Sequence, residues 1–98
     1  MEEFELLEND KVVDVIDFGR PEVGSKNQKI LQLHNKSKTW MINNIQLDIT
    51  PDKDVKIQYP KQLKPDQYGE IRIDWNPKFE RRLPLEISQM FTGELEIG

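Results

Sequence analysis

The residues of this chain that could do chemistry are few and scattered. The single histidine, His34, closes a predicted strand, where an imidazole is far more often a rim residue than a catalytic base. Ser25, Ser37 and Ser88 have turn or strand neighbours, and none has the sequence context of a nucleophile elbow. A glycine-rich phosphate loop is also absent from the sequence. We therefore expect a protein that is not an enzyme, with no cofactor and no small-molecule substrate.

Three acidic residues near one turn are the best candidates for a metal site. Asp48, Asp52 and Asp54 could offer calcium the oxygen ligands it prefers, but they lack the spacing and the glycine of a calcium-binding loop. One histidine and no cysteine give transition metals few ligands. Acidic turn residues are ordinarily solvated caps, so we predict no metal.

The composition of the 98 residues narrows the class of protein. A net charge of −4 argues against general nucleic-acid binding, which needs a basic face. No apolar run reaches the roughly 18 residues needed to span a membrane, and the acidic start does not resemble a signal peptide. The absence of cysteine excludes disulfides. We expect a single domain in a reducing, soluble compartment or in a particle assembled there.

The first ten residues are predicted to be an acidic N-terminal arm, and residues 11–98 the folded domain. Residues 1–17 carry seven acids against one lysine, which is too much like charge to pack alone. Phe4, Leu6 and Leu7 interrupt this charge and could add a strand to a neighbour's sheet. The arm is expected to be mobile until a partner binds it; a purely solubilising terminus is the alternative.

Short alternating segments predict the elements that would position any site. The clearest, 71–75, places Ile71, Ile73 and Trp75 on one face and is closed by a proline. Further strands are predicted at 12–18, 28–34, 40–49 and 55–59. Helical periodicity is poor throughout. The spacing is typical of an all-β sandwich of six to seven antiparallel strands.

Two segments leave their local structure open. Apolar parity switches at Asn43 and Asn44, which indicates a bulge or a short turn in the third strand. Residues 83–97 keep one parity and form either one long bent strand or a hairpin folded near 90–93. Trp40 is expected to pack between the sheets, although an exposed Trp40 would serve as an interface anchor. Residues that share parity within the strands predict the core: Phe18, Leu31, Leu33, Leu47, Val55, Ile57, Ile71, Ile73, Trp75, Leu85 and Ile87.

The order of several short motifs resembles a known family. Ile16-Asp-Phe-Gly19 is followed by Gly24, by Leu33-His-Asn35, by Leu63-Lys-Pro65 and by the strand 71–77. This order is similar to the immunoglobulin-like β-sandwich domains of the ASH, major-sperm-protein and PapD-like group. The resemblance covers residues 12–77 and implies an immunoglobulin-like fold. It departs after the proline, where the family usually has glycine and this chain has an aspartate at position 66.

The function expected from these features is a structural or assembly role. The leading hypothesis is a small virion component, such as a bacteriophage head-decoration or head–tail accessory protein, whose partners are other proteins in a repeated capsid or tail. The alternative is a cytoplasmic adaptor of the ASH or sperm-protein type. In either case no nucleic-acid or membrane partner is expected. The candidate partner-binding residues are Phe4, Leu6, Leu7, Phe79, Arg81 and Arg82.

Overall fold

The computed structural model describes residues 3–49 and 52–97, and these residues are almost entirely β-structure. One four-residue helical turn, α1, interrupts the strands. In chain order the elements are β1 (Phe4–Glu8), β2 (Lys11–Val13), β3 (Val15–Asp17), β4 (Asn27–Asn35), β5 (Trp40–Leu47), β6 (Val55–Gln58), β7 (Tyr68–Trp75), β8 (Pro84–Glu86), α1 (Ile87–Met90) and β9 (Phe91–Ile97).

A five-stranded sheet forms one side of the molecule. Its strand order is β2-β1-β4-β7-β6, and every neighbouring pair is antiparallel. The alternation that predicted β7 also sets its register, since Leu31 of β4 lies opposite Ile71, and both are buried. The all-β, antiparallel fold class is confirmed.

Two shorter pairs, β3–β8 and β5–β9, supply the rest of the β-structure. The register of β5 against β9 shifts between Asn43 and Gln46, and Asn44 has a φ of 51°. Asparagine tolerates this left-handed conformation better than most residues. The parity switch is therefore a bulge within one strand, and it lets both Ile42 and Ile45 face the core.

The core lies between the five-stranded sheet and the two pairs. Of the predicted core, Leu31, Leu33, Val55, Ile71, Ile73, Trp75 and Leu85 are buried. Phe18, Leu47 and Ile57 are only partly buried against it, and the side chain of Ile87 lies outside the described part of the chain. Further buried residues lie outside the predicted core and come from short or irregular elements: Phe4, Leu6, Ile16, Ile42, Ile45, Leu63, Met90 and Phe91.

The expectation of a detached N-terminal arm is wrong for its described residues, 3–10. β1 lies between β2 and β4 in the sheet. A two-residue turn at Asn9 and Asp10, with φ values of 53° and 65°, joins β1 to β2, as in a tight hairpin. Two acidic side chains of β1 have partners on β4: the Glu8 carboxylate lies 2.7 Å from Lys29 Nζ, and Glu5 Oε1 lies 2.6 Å from His34 Nδ1. Repulsion within the segment is thus offset across the sheet.

Two strand predictions also change. The predicted strand at 12–18 is two strands, because the chain passes from β2, which pairs with β1, to β3, which pairs with β8. Residues 83–97 contain β8 and β9, separated by α1; β8 pairs with β3, and β9 pairs with β5. The hairpin alternative is therefore excluded. The segment consists of two strands, β8 and β9, joined by a single helical turn.

Candidate functional site

The predicted partner-binding residues fall in different parts of the molecule. Phe4 and Leu6 are 3% and 1% exposed and belong to the core, so they are not available to a partner in this fold. Leu7 is half-buried. Phe79 and Arg81 come together beyond the end of β7, whereas Arg82 forms an ion pair with Asp17 of β3. The six residues therefore do not make one surface.

Arg81 is held over two aromatic rings at the β7 end of the molecule. Its guanidinium carbon lies 4.6 Å from the centre of the Phe79 ring and 5.2 Å from that of Trp75. Both distances suit a cation–π contact. Phe79 remains 59% exposed, so the ring is open on one side. We call Phe79, Arg81 and Trp75 the aromatic shelf.

The carboxylate of Asp54 anchors the aromatic shelf. Asp54 Oδ2 accepts hydrogen bonds from Arg81 Nη1 at 2.8 Å, from Trp75 Nε1 at 3.2 Å and from the Lys78 backbone N–H at 3.2 Å. Its side chain is 4% exposed. The guanidinium of Arg81, followed by the Trp75 and Lys78 donors, holds the pKa of Asp54 well below its ordinary value. Asp54 is therefore a buried anion with a full set of donors.

The acidic turn considered for calcium is occupied by this ion pair. Asp52 Oδ2 accepts from Arg81 Nη2 at 2.6 Å, while Asp48 lies apart and accepts from the Thr92 hydroxyl at 3.3 Å. Within residues 3–49 and 52–97, no group of three His, Asp or Glu side chains is arranged to hold a metal ion. Asp52 and Asp54 thus share the guanidinium of Arg81, whereas Asp48 serves a separate contact.

His34 lies near the C-terminal end of β4, at the other end of the sheet from the aromatic shelf, and its ring lies between two carboxylates. Its Nδ1 is 2.6 Å from Glu5 Oε1, and its Nε2 is 2.7 Å from Asp66 Oδ1. Its ring stacks on Tyr68 at 4.0 Å, and the residue is only 7% exposed. A neutral imidazole can donate to one of these carboxylates, and a protonated one to both. With both nitrogens engaged, His34 connects β1, β4 and the turn before β7.

Asp66 completes this contact from an unusual backbone conformation. Its φ is 60°, the left-handed region that favours glycine. Hydrogen bonds from Lys38 and then from His34 lower the pKa of the Asp66 carboxyl. Position 66 therefore has the backbone conformation that glycine adopts most easily, and the aspartate here adds a side-chain contact.

Asn35, next to His34, is fully buried and bridges three segments. Its Nδ2 lies 2.8 Å from the carbonyl oxygen of Trp40, 3.2 Å from that of Leu63 and 3.0 Å from that of Lys64. Its Oδ1 accepts from the Ser37 backbone N–H at 2.9 Å. One amide thereby satisfies backbone groups that lie where loops meet the core. Asn35 ends the Leu33-His-Asn35 motif of the sequence, but the motif does not indicate its burial.

The same end of the molecule carries an exposed apolar surface. Trp40 and Ile97 are direct partners across β5 and β9, and Ile42 and Leu95 are the next pair on that face. Ile42 is buried, but Trp40, Leu95 and Ile97 are 42%, 43% and 81% exposed. We call these three residues the apolar patch. The expectation that Trp40 packs between the sheets is wrong, because the core-facing side of β5–β9 is left uncovered there.

A small hollow joins the apolar patch to the core. It has a volume of about 220 Å³ and is lined by Glu3, Phe4, Ile42, Gly93 and Leu95. Gly93 keeps it open at its base, since a Cβ there would lie 2.7 Å from Ile42 Cγ2. Phe91, Leu95 and Ile97 share one parity in the sequence, which indicates that they lie on one face of the strand. Parity alone does not show where the opposite sheet ends and leaves that face exposed.

Comparison with known proteins does not place the chain in a family. No protein-family model, no curated protein and no solved structure matches it. Among the described residues, no helix is long and apolar enough to cross a membrane.

Proposed function

We propose that this chain is a non-enzymatic assembly domain with an immunoglobulin-like β-sandwich fold, similar to the ASH, major-sperm-protein and PapD-like group. Its proposed setting is a virion, as a head-decoration or head–tail accessory protein of a bacteriophage. The single observation that carries the assembly role is the apolar patch on strands β5 and β9.

The motif residues of the resemblance support the fold proposal. Phe18 and Trp75 meet edge to face at 5.4 Å, and Leu63 is 1% exposed at the end of the core. Asp66 takes the positive φ that the family's glycine would supply. If β2 with β3, and β8 with β9, each count as one interrupted strand, the proposed sandwich has seven strands.

The surroundings of the apolar patch support a role in binding another protein. Within the described residues β9 pairs only with β5, so its other edge offers backbone N–H and C=O groups to an added strand. Trp40, Leu95 and Ile97 would give that strand apolar contacts, and tryptophan is among the residues most enriched at binding hot spots. Glu94 and Glu96 on β9 would favour a partner with basic residues.

Co-purification with intact particles tests the proposal. Ile97→Ser removes an apolar side chain that is 81% exposed, so the domain should stay folded while its retention on particles falls. Ile30→Ser is the matched control, since Ile30 is 50% exposed on β4, away from the apolar patch. Both variants should unfold at similar temperatures.

Two results would overturn the proposal. Equal retention of Ile97→Ser and the unchanged protein would show that the apolar patch does not carry assembly. Recovery of the protein with one soluble partner, and never with particles, would replace the virion setting with the adaptor alternative.

A further inference from the structure

A second surface lies at the other end of the five-stranded sheet, where β4 begins and β7 ends. It is a cleft of about 540 Å³. We call it the lysine cleft, because four of its lining residues are lysines: Lys26, Lys53, Lys56 and Lys78. The apolar patch is near the opposite end of β4, since the Trp40 carbonyl accepts from Asn35. An inference about the lysine cleft therefore does not rest on the assembly proposal.

The cations of the lysine cleft are available to a ligand. All four lysines are exposed, and none lies within 4.0 Å of a carboxylate among the described residues. The two lining carboxylates are already engaged: Asp54 by Arg81, and Asp74 by the Gln28 amide at 2.8 Å. The cleft is a local concentration of positive charge on a protein whose net charge is −4.

The polar groups of the lysine cleft do not suit a small anion. A specific site for phosphate needs several fixed donors that converge on one point. Here the Asn27 amide donates to Ser25 Oγ at 3.0 Å, and the Trp75 Nε1–H donates to Asp54. The flexible, strongly hydrated lysines that remain favour a ligand with distributed negative charge.

One residue that lines the cleft also has an unsatisfied acceptor. Asn76 Oδ1 is buried and has no hydrogen-bond partner among the described residues. It is an acceptor, so it calls for an N–H or O–H group rather than for another anion. A peptide backbone supplies N–H groups, and acidic side chains along the same segment supply carboxylates for the lysines.

We infer that the lysine cleft binds an extended, carboxylate-rich segment of a partner protein. β6, which bears Lys56, is the outermost strand on this side of the sheet in the described structure, so a segment can approach along it without displacing an element. Nucleic acid fits less well, because its binding usually needs a basic face that follows many phosphates, whereas this chain is acidic overall with a net charge of −4.

Fluorescence anisotropy with defined probes tests the inference. The probe is a labelled peptide of about ten residues that alternates glutamate and serine. Three other ligands serve as comparisons: the same peptide with glutamine in place of glutamate, a single-stranded oligonucleotide of similar length, and inorganic phosphate. The glutamate peptide should bind, and binding should weaken as salt is raised towards about 0.15 M. The double variant Lys53→Glu/Lys56→Glu should weaken it about tenfold or more.

A matched variant separates the lysine cleft from general charge. Lys36→Glu/Lys64→Glu makes the same change in net charge with two exposed lysines at the other end of β4 and β7, and it should leave peptide affinity nearly unchanged. The inference is wrong if the glutamate peptide does not bind, or if both double variants weaken it equally. Tighter binding of the oligonucleotide or of phosphate than of the glutamate peptide would replace the acidic protein segment with that ligand.

Discussion

At each end of the molecule one side chain joins loop segments to the core, but the two side chains do so with different chemistry. At one end the amide of Asn35 bridges the backbone carbonyls of Trp40, Leu63 and Lys64. At the other end the carboxylate of Asp54 gathers an indole, a backbone N–H and a guanidinium. The first bridge is neutral and depends on geometry alone, whereas the second depends on charge. The two ends should therefore respond differently to mutation, to pH and to salt.

The largest effect is expected from Asn35→Ala. Asn35 is 0% exposed, and its loss leaves buried carbonyls and the Ser37 N–H without their partner. Unsatisfied buried groups cost about 1–3 kcal/mol each, so a loss of about 3–5 kcal/mol in the free energy of unfolding is expected. Denaturant titration measures it. Asn43→Ala, which removes one 3.4 Å contact to Glu96, is the control and should cost far less. Equal losses would show that the Asn35 bridge is not structurally important.

A smaller loss is expected from Arg81→Leu at the charged end. The substitution leaves Asp54 buried without its cation, and breaking such a pair from one side costs about 2–4 kcal/mol. The double variant Arg81→Leu/Asp54→Asn should recover part of that loss, since it removes the stranded charge. Denaturant titration of the set gives the coupling. Strictly additive losses would mean that the two side chains do not interact.

Acidic pH should reduce the stability that Asp54 contributes more than the stability that Asn35 contributes. The effect should be smaller than that of the two substitutions above. The folded protein lowers the pKa of Asp54 from its ordinary value of 3.8, so the stabilisation is complete above that value and is lost as the pH falls through the lower, folded pKa. Asp54→Asn should cost about 1–2 kcal/mol near pH 6, and its deficit relative to the unchanged protein should shrink below about pH 4. Thermal unfolding between pH 3 and pH 6 checks this. The deficit of Asn35→Ala should vary less, and the same pH trend in both variants would remove the contrast.

The smallest effect is expected from Lys38→Met. Lys38 pairs with Asp66 at 2.9 Å, but the two side chains are 72% and 50% exposed. Exposed ion pairs contribute little because water and salt screen them. The unfolding midpoint should not change measurably, in contrast to Arg81→Leu. A marked loss of stability would show that Asp66 needs Lys38 to hold His34.

Much of the β-structure could be predicted from sequence, and the reasons for the misses are physical. Alternation identified β4 and β7 because each buries one face along its length. It misjudged β1, whose carboxylates contact residues that are distant in the sequence: Glu8 pairs with Lys29, and Glu5 Oε1 lies 2.6 Å from His34 Nδ1. It also placed Trp40 inside, because the end of the covering sheet is a tertiary property.

The candidate sites were less predictable than the fold. Phe79 and Arg81 are both among the predicted partner-binding residues, but the carboxylate that binds Arg81, that of Asp54, comes from the turn before β6. The lysine cleft joins residues from three separate segments, and each lysine alone resembles an ordinary solvated side chain. Only the sheet register brings them together.

The long-range pairing of the strands also sets how the protein must reach its native state. Val15 pairs with Glu86, and Trp40 pairs with Ile97, so two of the pairings wait for the last part of the chain. Such distant contacts slow folding, to roughly milliseconds to seconds for β-rich domains of this kind. During synthesis, Ile42 and Ile45 of β5 would remain without β9 until residues 91–97 had emerged. A nascent chain halted before residue 91 would therefore expose part of its future core to aggregation or to chaperones.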